Sequence, residues 1–252
     1  MARVDEAPQA PQASVLEVDD IHTYSGESYV LQGLSLEVAR QGVTAILGRN
    51  GMGKTTLIRS IAGLTPPARG DIRFQGHSIA GLPSYRITRS GIALVPQGRR
   101  LFSSLTVYEN LALLTSSLSR PFRGGNERLW TVDSVLELFP QLADRRGQRA
   151  GTLSGGEKQM LAIARALLSD PDLVLMDEPS EGLSPVLVEQ VEGIIRDLVD
   201  RGYAILLVEQ RYDLAMALAH SIYVITNGRV VFGGQPAALE VEAGLKAEHL
   251  GI

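Results

Sequence analysis

The stretch VTAILGRNGMGKTT, residues 43–56, restricts the fold of this chain more than any other. Val43 to Leu47 is short and almost wholly apolar, as expected of a strand buried on both faces. A helical pattern follows from Thr55 to Leu64 and stops before Pro66 and Pro67. Between them, Gly48 to Thr56 fits G-x-x-x-x-G-K-[ST] at every position. Gly51 and Gly53 let the backbone approach phosphate oxygens and aim N–H groups at them, and the helix N-terminus adds its dipole. Lys54 supplies a mobile positive charge, and Thr55 offers a hydroxyl to magnesium. Gly48, Asn50, Gly51, Gly53, Lys54, Thr55 and Thr56 are therefore the candidate phosphate-binding residues. The plainer alternative, a glycine-rich turn with a solvated lysine, does not account for the strand and helix flanks.

What surrounds this loop narrows the class. Hydrophobic residues make up 44% and charged residues 21% of the 252, the balance of a globular chain with one large core. A net charge of -4 offers no basic surface, which argues against nucleic acid as a partner. The lack of cysteine excludes disulfides, zinc–thiolate sites and thiol nucleophiles. No apolar run approaches the roughly 20 residues that span a bilayer. Residues 1–14, MARVDEAPQAPQAS, read as a loose, disordered tail, leaving 15–252 as the domain.

Three zones follow the tail. Residues 16–74 are strand-rich, with LEVDDIHTY and LQGLSLEVA expected to be antiparallel. Residues 83–168 are expected to be mostly helical, with a mobile polar loop at 119–128. The remainder alternates strand and helix, which predicts a mainly parallel sheet covered on both faces. Asn227-Gly228 between two apolar runs predicts a hairpin.

Two further segments carry chemistry. LVLMDEPS, residues 173–180, ends a buried run in two carboxylates. Asp177 can hold magnesium, directly or through water, and Glu178 can orient or deprotonate an attacking water. A strand simply emerging into solvent is the bland reading. It loses ground beside a phosphate loop, because ligand sites of parallel sheets gather at strand carboxyl ends. LSGGEKQMLAIARALL, residues 153–168, is an amphipathic helix whose start carries a capping box, Ser154 and Glu157. That explains it structurally, but Ser154, Gly155 and Gly156 also form a second anion site at a helix N-terminus. One nucleotide needs no second cradle unless that cradle serves a neighbouring subunit.

Together these segments resemble the ABC-type ATPases. Gly48 to Thr56 looks like the Walker A loop, Leu173 to Glu178 like Walker B with its catalytic glutamate, and LSGGEKQ like the signature sequence. Gln97, ending ALVPQ, matches the Q-loop glutamine, and Ser180 to Pro185 occupies the D-loop. The resemblance covers nearly the whole chain after the tail. VPQGRRLFSSLTVYENL, MDEPSEGLSP and LLVEQ are most similar to ATP-binding subunits of branched-chain amino acid importers, and GESYVLQGLSLEV also resembles subunits of urea and short-chain amide importers.

The resemblance implies an α/β P-loop NTPase of ABC type: a mainly parallel core sheet, an antiparallel β sub-domain, and a helical sub-domain inserted at about residues 98–168. It implies ATP and Mg2+, with Thr55, Gln97 and Asp177 toward the metal and Glu178, Gln97 and Gln210 around the reacting phosphate. Two units, identical or siblings, would pair head to tail, so that Ser154, Gly155 and Gly156 of one close over ATP at Lys54 of the other. The expected partners are two integral-membrane permease subunits and, indirectly, a periplasmic or extracellular solute-binding protein, with the ATPase on the cytoplasmic face of the cell membrane. Arg99 and Arg100 would flank the groove that receives the membrane partner, unless they are a solvated basic turn. For the adenine platform Tyr24 is the choice, with Ser25 the neighbouring match. The competing class is a non-transport ABC ATPase of the iron–sulfur assembly type.

One position departs from the family pattern. Gln210 stands where most ABC-type ATPases carry a switch histidine, and none of the four histidines lies at this strand end. Glutamine can hydrogen-bond a phosphate but cannot carry a positive charge.

Overall fold

The computed structural model describes residues 14–117 and 130–252. The tail up to residue 13 and the polar loop at 119–128 lie outside the described residues. Strands β1 (Ser14–Ser25) and β2 (Ser28–Ala39) form a long hairpin, and β1 already begins at Ser14, whose hydroxyl donates to Glu37. There follow β3 (Gly42–Leu47), α1 (Lys54–Ile61), β4 (Arg69–Phe74), β5 (His77–Ser78), α2 (Ser84–Ser90) and β6 (Ile92–Val95). A helical stretch comprises α3 (Val107–Ser117), α4 (Val132–Leu138), α5 (Pro140–Ala143) and α6 (Gly155–Leu167). Then come β7 (Leu173–Asp177), α7 (Pro185–Asp200), β8 (Ala204–Glu209), α8 (Tyr212–Leu218), β9 (Ser221–Thr226), β10 (Arg229–Gly234) and α9 (Pro236–Val241), and two short helical turns, Ala243–Leu245 and Lys246–Leu250, close the chain.

The strands make two sheets. One is antiparallel, in the order β2-β1-β4-β5, and the other runs β10-β9-β3-β8-β7-β6, with only β10 antiparallel to its neighbour. Every residue of β3, β7 and β8 is buried, which is why their sequences show continuous apolar runs. Helix α1 sits between the sheets. Its Leu57, Ile58 and Ile61 pack against Leu31 and Leu34 of β2 and against Ile46, Leu206 and Val208 of the core sheet. Helices α6 and α7 cover the other face, where Met160, Ile163, Val188 and Val191 meet Val174, Met176 and Ile205. Each such side chain contributes about 1.5–3 kcal/mol on burial.

Two sequence expectations need adjustment. The segment 83–168 is not helical throughout, because IALV forms β6 and pairs in parallel with β7, Ile92 opposite Leu173. Four apolar residues carry no measurable period, and only the long-range pairing decides their state. Helix α1 runs from Lys54 to Ile61, shorter than the pattern to Leu64. Gly63 takes a left-handed φ of 69°, and the N–H groups of Leu64 and Thr65 turn back to the Arg59 carbonyl, ending the helix.

The hairpin at Asn227-Gly228 forms as expected, with φ of 48° and 72° at the two turn residues. Its tip is wedged into the fold. Gly228 N–H donates to the Met52 carbonyl in the phosphate loop at 3.0 Å, and its own carbonyl accepts from Gln32 of β2 at 3.0 Å. A Cβ at 228 would fall 1.8 Å from the Val30 carbonyl oxygen. Gly228→Ala should therefore cost more than about 2 kcal/mol and lower the melting temperature by about 5 °C or more. A shift under about 1 °C in a thermal melt would mean that the turn does not brace the loop.

Candidate functional site

The phosphate loop leaves β3 at Gly48 and enters α1 at Lys54. Gly53 precedes the helix with φ 104°, and a Cβ there would meet Leu31 at 2.9 Å, so the bend excludes a side chain. Lys54 is buried and folds back over the loop, its Nζ donating to the carbonyls of Gly48 at 2.7 Å and Arg49 at 3.1 Å. The same Nζ lies 3.4 Å from Glu178 Oε1. A cavity of about 410 Å³ opens here, with Asn50, Gly51 and residues 53–56 of the loop, Gln97 and Glu178 on one wall and Ser25, Ser28 and Val30 on the other.

The carboxylates come from the neighbouring strand end. Thr55 Oγ1 donates to Asp177 Oδ1 at 3.2 Å. Burial pushes the Asp177 carboxyl up to about 6; the Thr55 bond and Lys54 oppose this, while Glu178 and Glu181 add to it. Glu178 is held in a left-handed conformation at φ 49° while its N–H donates to Val208 of β8. Its Oε2 accepts from Gln97 Nε2 at 3.2 Å and from Gln210 Nε2 at 2.8 Å. One carboxylate thus faces Lys54, Gln97 and Gln210 together, three groups from three separate strand ends.

Not every expected residue reaches this cavity. By strand alternation Tyr24 lies on the other face of its hairpin, stacked on Tyr29 with ring centroids 4.8 Å apart, and Ser25 rather than Tyr24 lines the cavity. Ser154, Gly155 and Gly156 stay away from it too, at the start of α6. The Ser154–Glu157 capping box forms, with the Ser154 N–H donating to Glu157 Oε2 at 2.8 Å. Gly156 packs α6 onto α7, since a Cβ there would meet Leu187 at 2.4 Å. Arg99 and Arg100 line a different cavity, shared with Leu94 and Arg165. Trp130 is buried and donates to the Tyr203 hydroxyl, a packing role.

Two site residues were not singled out from the sequence. Glu181 accepts from Gln97 at 3.0 Å. Glu209 is buried at the end of β8, and burial raises its carboxyl above the usual range while bonds from Ser180, Arg211 and Gln210 pull it back. The signal was present, since Glu209 ends an apolar run as Asp177 does.

The donors suit Mg2+, whose ligands are hard oxygens: the Thr55 hydroxyl, the Asp177 carboxylate and the Gln97 amide oxygen. Among the described residues no cluster of three His, Cys, Asp or Glu could hold a metal by protein ligands alone. Such a set calls for phosphate oxygens to complete the shell.

Residues 31–181 match the family model described as ABC transporter. The chain belongs to that family. It is 44% identical over 237 residues to the high-affinity branched-chain amino acid transport ATP-binding protein BraG of Pseudomonas aeruginosa, covering 94% of this chain and 100% of that one. A probable branched-chain amino acid transport ATP-binding protein, LivF of Archaeoglobus fulgidus, is 36% identical over 82% of this chain and 86% of its own length. A nucleotide-free ATP-binding cassette from an ABC transporter superposes with a TM-score of 0.82 at 27% identity, covering 95% of this chain and 99% of that one. A dimeric cassette in a post-hydrolysis state, bound to ADP and Pi, gives 0.77 at 25% identity, covering 88% and 98%. The fold is that of an ABC cassette, and the chain is an ATPase of that type. Nothing among these relatives supports the non-transport alternative.

The raised Asp177 carboxyl gives a pH test on the nucleotide-free protein. A folded-state pKa of about 6, against 3.8, means the folded state binds the proton more tightly, so this stabilisation is lost as pH rises through 6. At pH 8 Asp177→Asn should therefore stabilise, by on the order of 2 kcal/mol, and the gain should fade toward pH 5. Parallel melting curves of both proteins across pH 5–8 check it, and a pH-independent difference would contradict it.

Proposed function

We propose that this chain is the ATPase subunit of an importer for branched-chain amino acids or related amino acids and amides. The observation that carries the reading is the 44% identity to BraG over 94% of this chain and all of that protein. No helix among the described residues is long and apolar enough to cross a membrane. Two integral-membrane permease subunits would hold the ATPase on the cytoplasmic face, and a periplasmic or extracellular solute-binding protein would select the solute. The helical segment at about 98–168 is the inserted sub-domain of this reading, and Arg99 and Arg100 border the cavity that the permease would fill.

ATP lies with its phosphates on the loop from Gly48 to Thr56 and its base against Ser25 and Val30. Lys54 exchanges Glu178 for the terminal phosphates, which compete for the same ammonium. Bound Mg2+ would neutralise the phosphate oxygens, held by Thr55 and Asp177 with Gln97 beside them. Glu178, released from Lys54, accepts the proton of the attacking water. Gln210 keeps hold of Glu178 and offers its amide to the phosphate, with no charge to add.

Ser154, Gly155 and Gly156 lie outside the cavity of their own chain and serve the ATP of a second subunit, identical or sibling, in a head-to-tail pair. Positioning and electrostatics supply the rate, so the second subunit is part of the active site. Turnover should consequently rise faster than linearly with protein at low concentration. Strict proportionality down to nanomolar protein would sink the paired site. For the solute, deletion of this gene should abolish ATP-dependent uptake of labelled leucine, and a copy bearing Lys54→Ala should not restore it. Unchanged uptake in the deletion strain would count against the importer.

A further inference from the structure

Glu209 is 1% exposed at the end of β8, and the phosphate chemistry described above does not use it. Its Oε1 accepts from the Ser180 N–H at 3.2 Å and its Oε2 from the Gln210 N–H at 3.2 Å. The Ser180 hydroxyl and the Arg211 N–H lie near enough to favour its charged form as well. Among the described residues it forms no ion pair, so dipolar donors alone satisfy it. An enclosed carboxylate of this kind is costly to keep, and the fold itself would be served by a neutral strand end.

What the carboxylate joins is specific. Ser180 opens the loop that follows Glu178, and Gln210 is the residue whose amide meets Glu178 at 2.8 Å. The exits of β7 and β8 are therefore tied by one side chain behind the pair that faces the phosphate. Glutamine at 209 would be nearly the same size but would turn an acceptor oxygen into an NH2 group facing N–H donors.

We propose that Glu209 is a positioning residue: it fixes Ser180 and Gln210 relative to one another, so that the Gln210 amide and the Glu178 carboxylate meet in the geometry that hydrolysis requires. This rests on the ATPase reading for its effect on rate, but not for its effect on the nucleotide-free protein. It acts through Gln210 and leaves the phosphate loop alone, so it governs turnover and not nucleotide capture.

The test has two arms. In the nucleotide-free protein, Glu209→Gln should speed amide hydrogen exchange at Ser180 and Gln210 by about tenfold or more while leaving Leu57 of α1 unchanged. In turnover, Glu209→Gln should lower kcat by about tenfold or more with KM for ATP within about twofold, and combining it with Gln210→Ala should be no slower than the slower single variant. A general loss of stability would raise exchange at Leu57 too and would combine additively. Should Glu209→Gln fail to fold, Ser180→Ala removes one donor only and should show the same exchange pattern at Gln210, about threefold in size. Unchanged exchange at Ser180 and Gln210, or additive rate losses, would overturn the proposal. If Gln210→Ala turns over at the full rate, the phosphate role of Gln210 falls, and the exchange arm alone decides on Glu209.

Discussion

A parallel sheet buried on both faces can show polar groups only where its strands end. Strands β3, β8 and β7 are neighbours and in register, with Leu47 opposite Glu209 and Val208 opposite Asp177, so their exits lie side by side. The buried charged groups of the site are placed by that constraint. Lys54 follows the first exit, Glu209 and Gln210 mark the second, and Asp177 and Glu178 mark the third. The result is a buried cluster of one ammonium and three carboxylates, short of positive charge in the nucleotide-free protein. Burial foremost, with the neighbouring Glu178 and Glu181 adding to it, raises the Asp177 carboxyl, while Glu178 meets Lys54.

The parts of this arrangement that were legible in the sequence are those fixed by residues close together in it. The glycine loop, the capping box at Ser154 and Glu157, and the turn at Asn227-Gly228 each depend on a handful of adjacent residues, and each forms. What escaped depends on distant pairing. β6 is a strand because β7 lies beside it, and Ser25 faces the cavity because β1 reaches its end in one register with β2 and not another. A shift of one residue would exchange Ser25 for Tyr24. Glu209 was passed over for a related reason: a carboxylate at a strand end looks solvated until its donors, the N–H groups of Ser180 and Gln210, are seen to come from two different loops.

The two glycine-bearing helix starts of the chain differ in kind. The loop around Lys54 holds a cation inside it and an acidic side chain across from it, so it is already electrostatically engaged. The start of α6 is engaged differently: the Ser154 and Glu157 side chains cap the helix itself, and Glu157 pairs with Arg145 at 2.7 Å. The two lie apart within the chain, at the starts of α1 and α6.

Tips of β-hairpins are usually the most forgiving places in a protein to add sequence, because they stand in solvent. At Asn227-Gly228 only Asn227 does so, since Gly228 is buried and clasped between Met52 and Gln32. An epitope or fluorescent module grafted there would pull on the phosphate loop directly. The edge strand β10 is thereby more than the border of the sheet: whatever moves it along its length is felt at the backbone of the glycine loop, at no greater distance than one hydrogen bond.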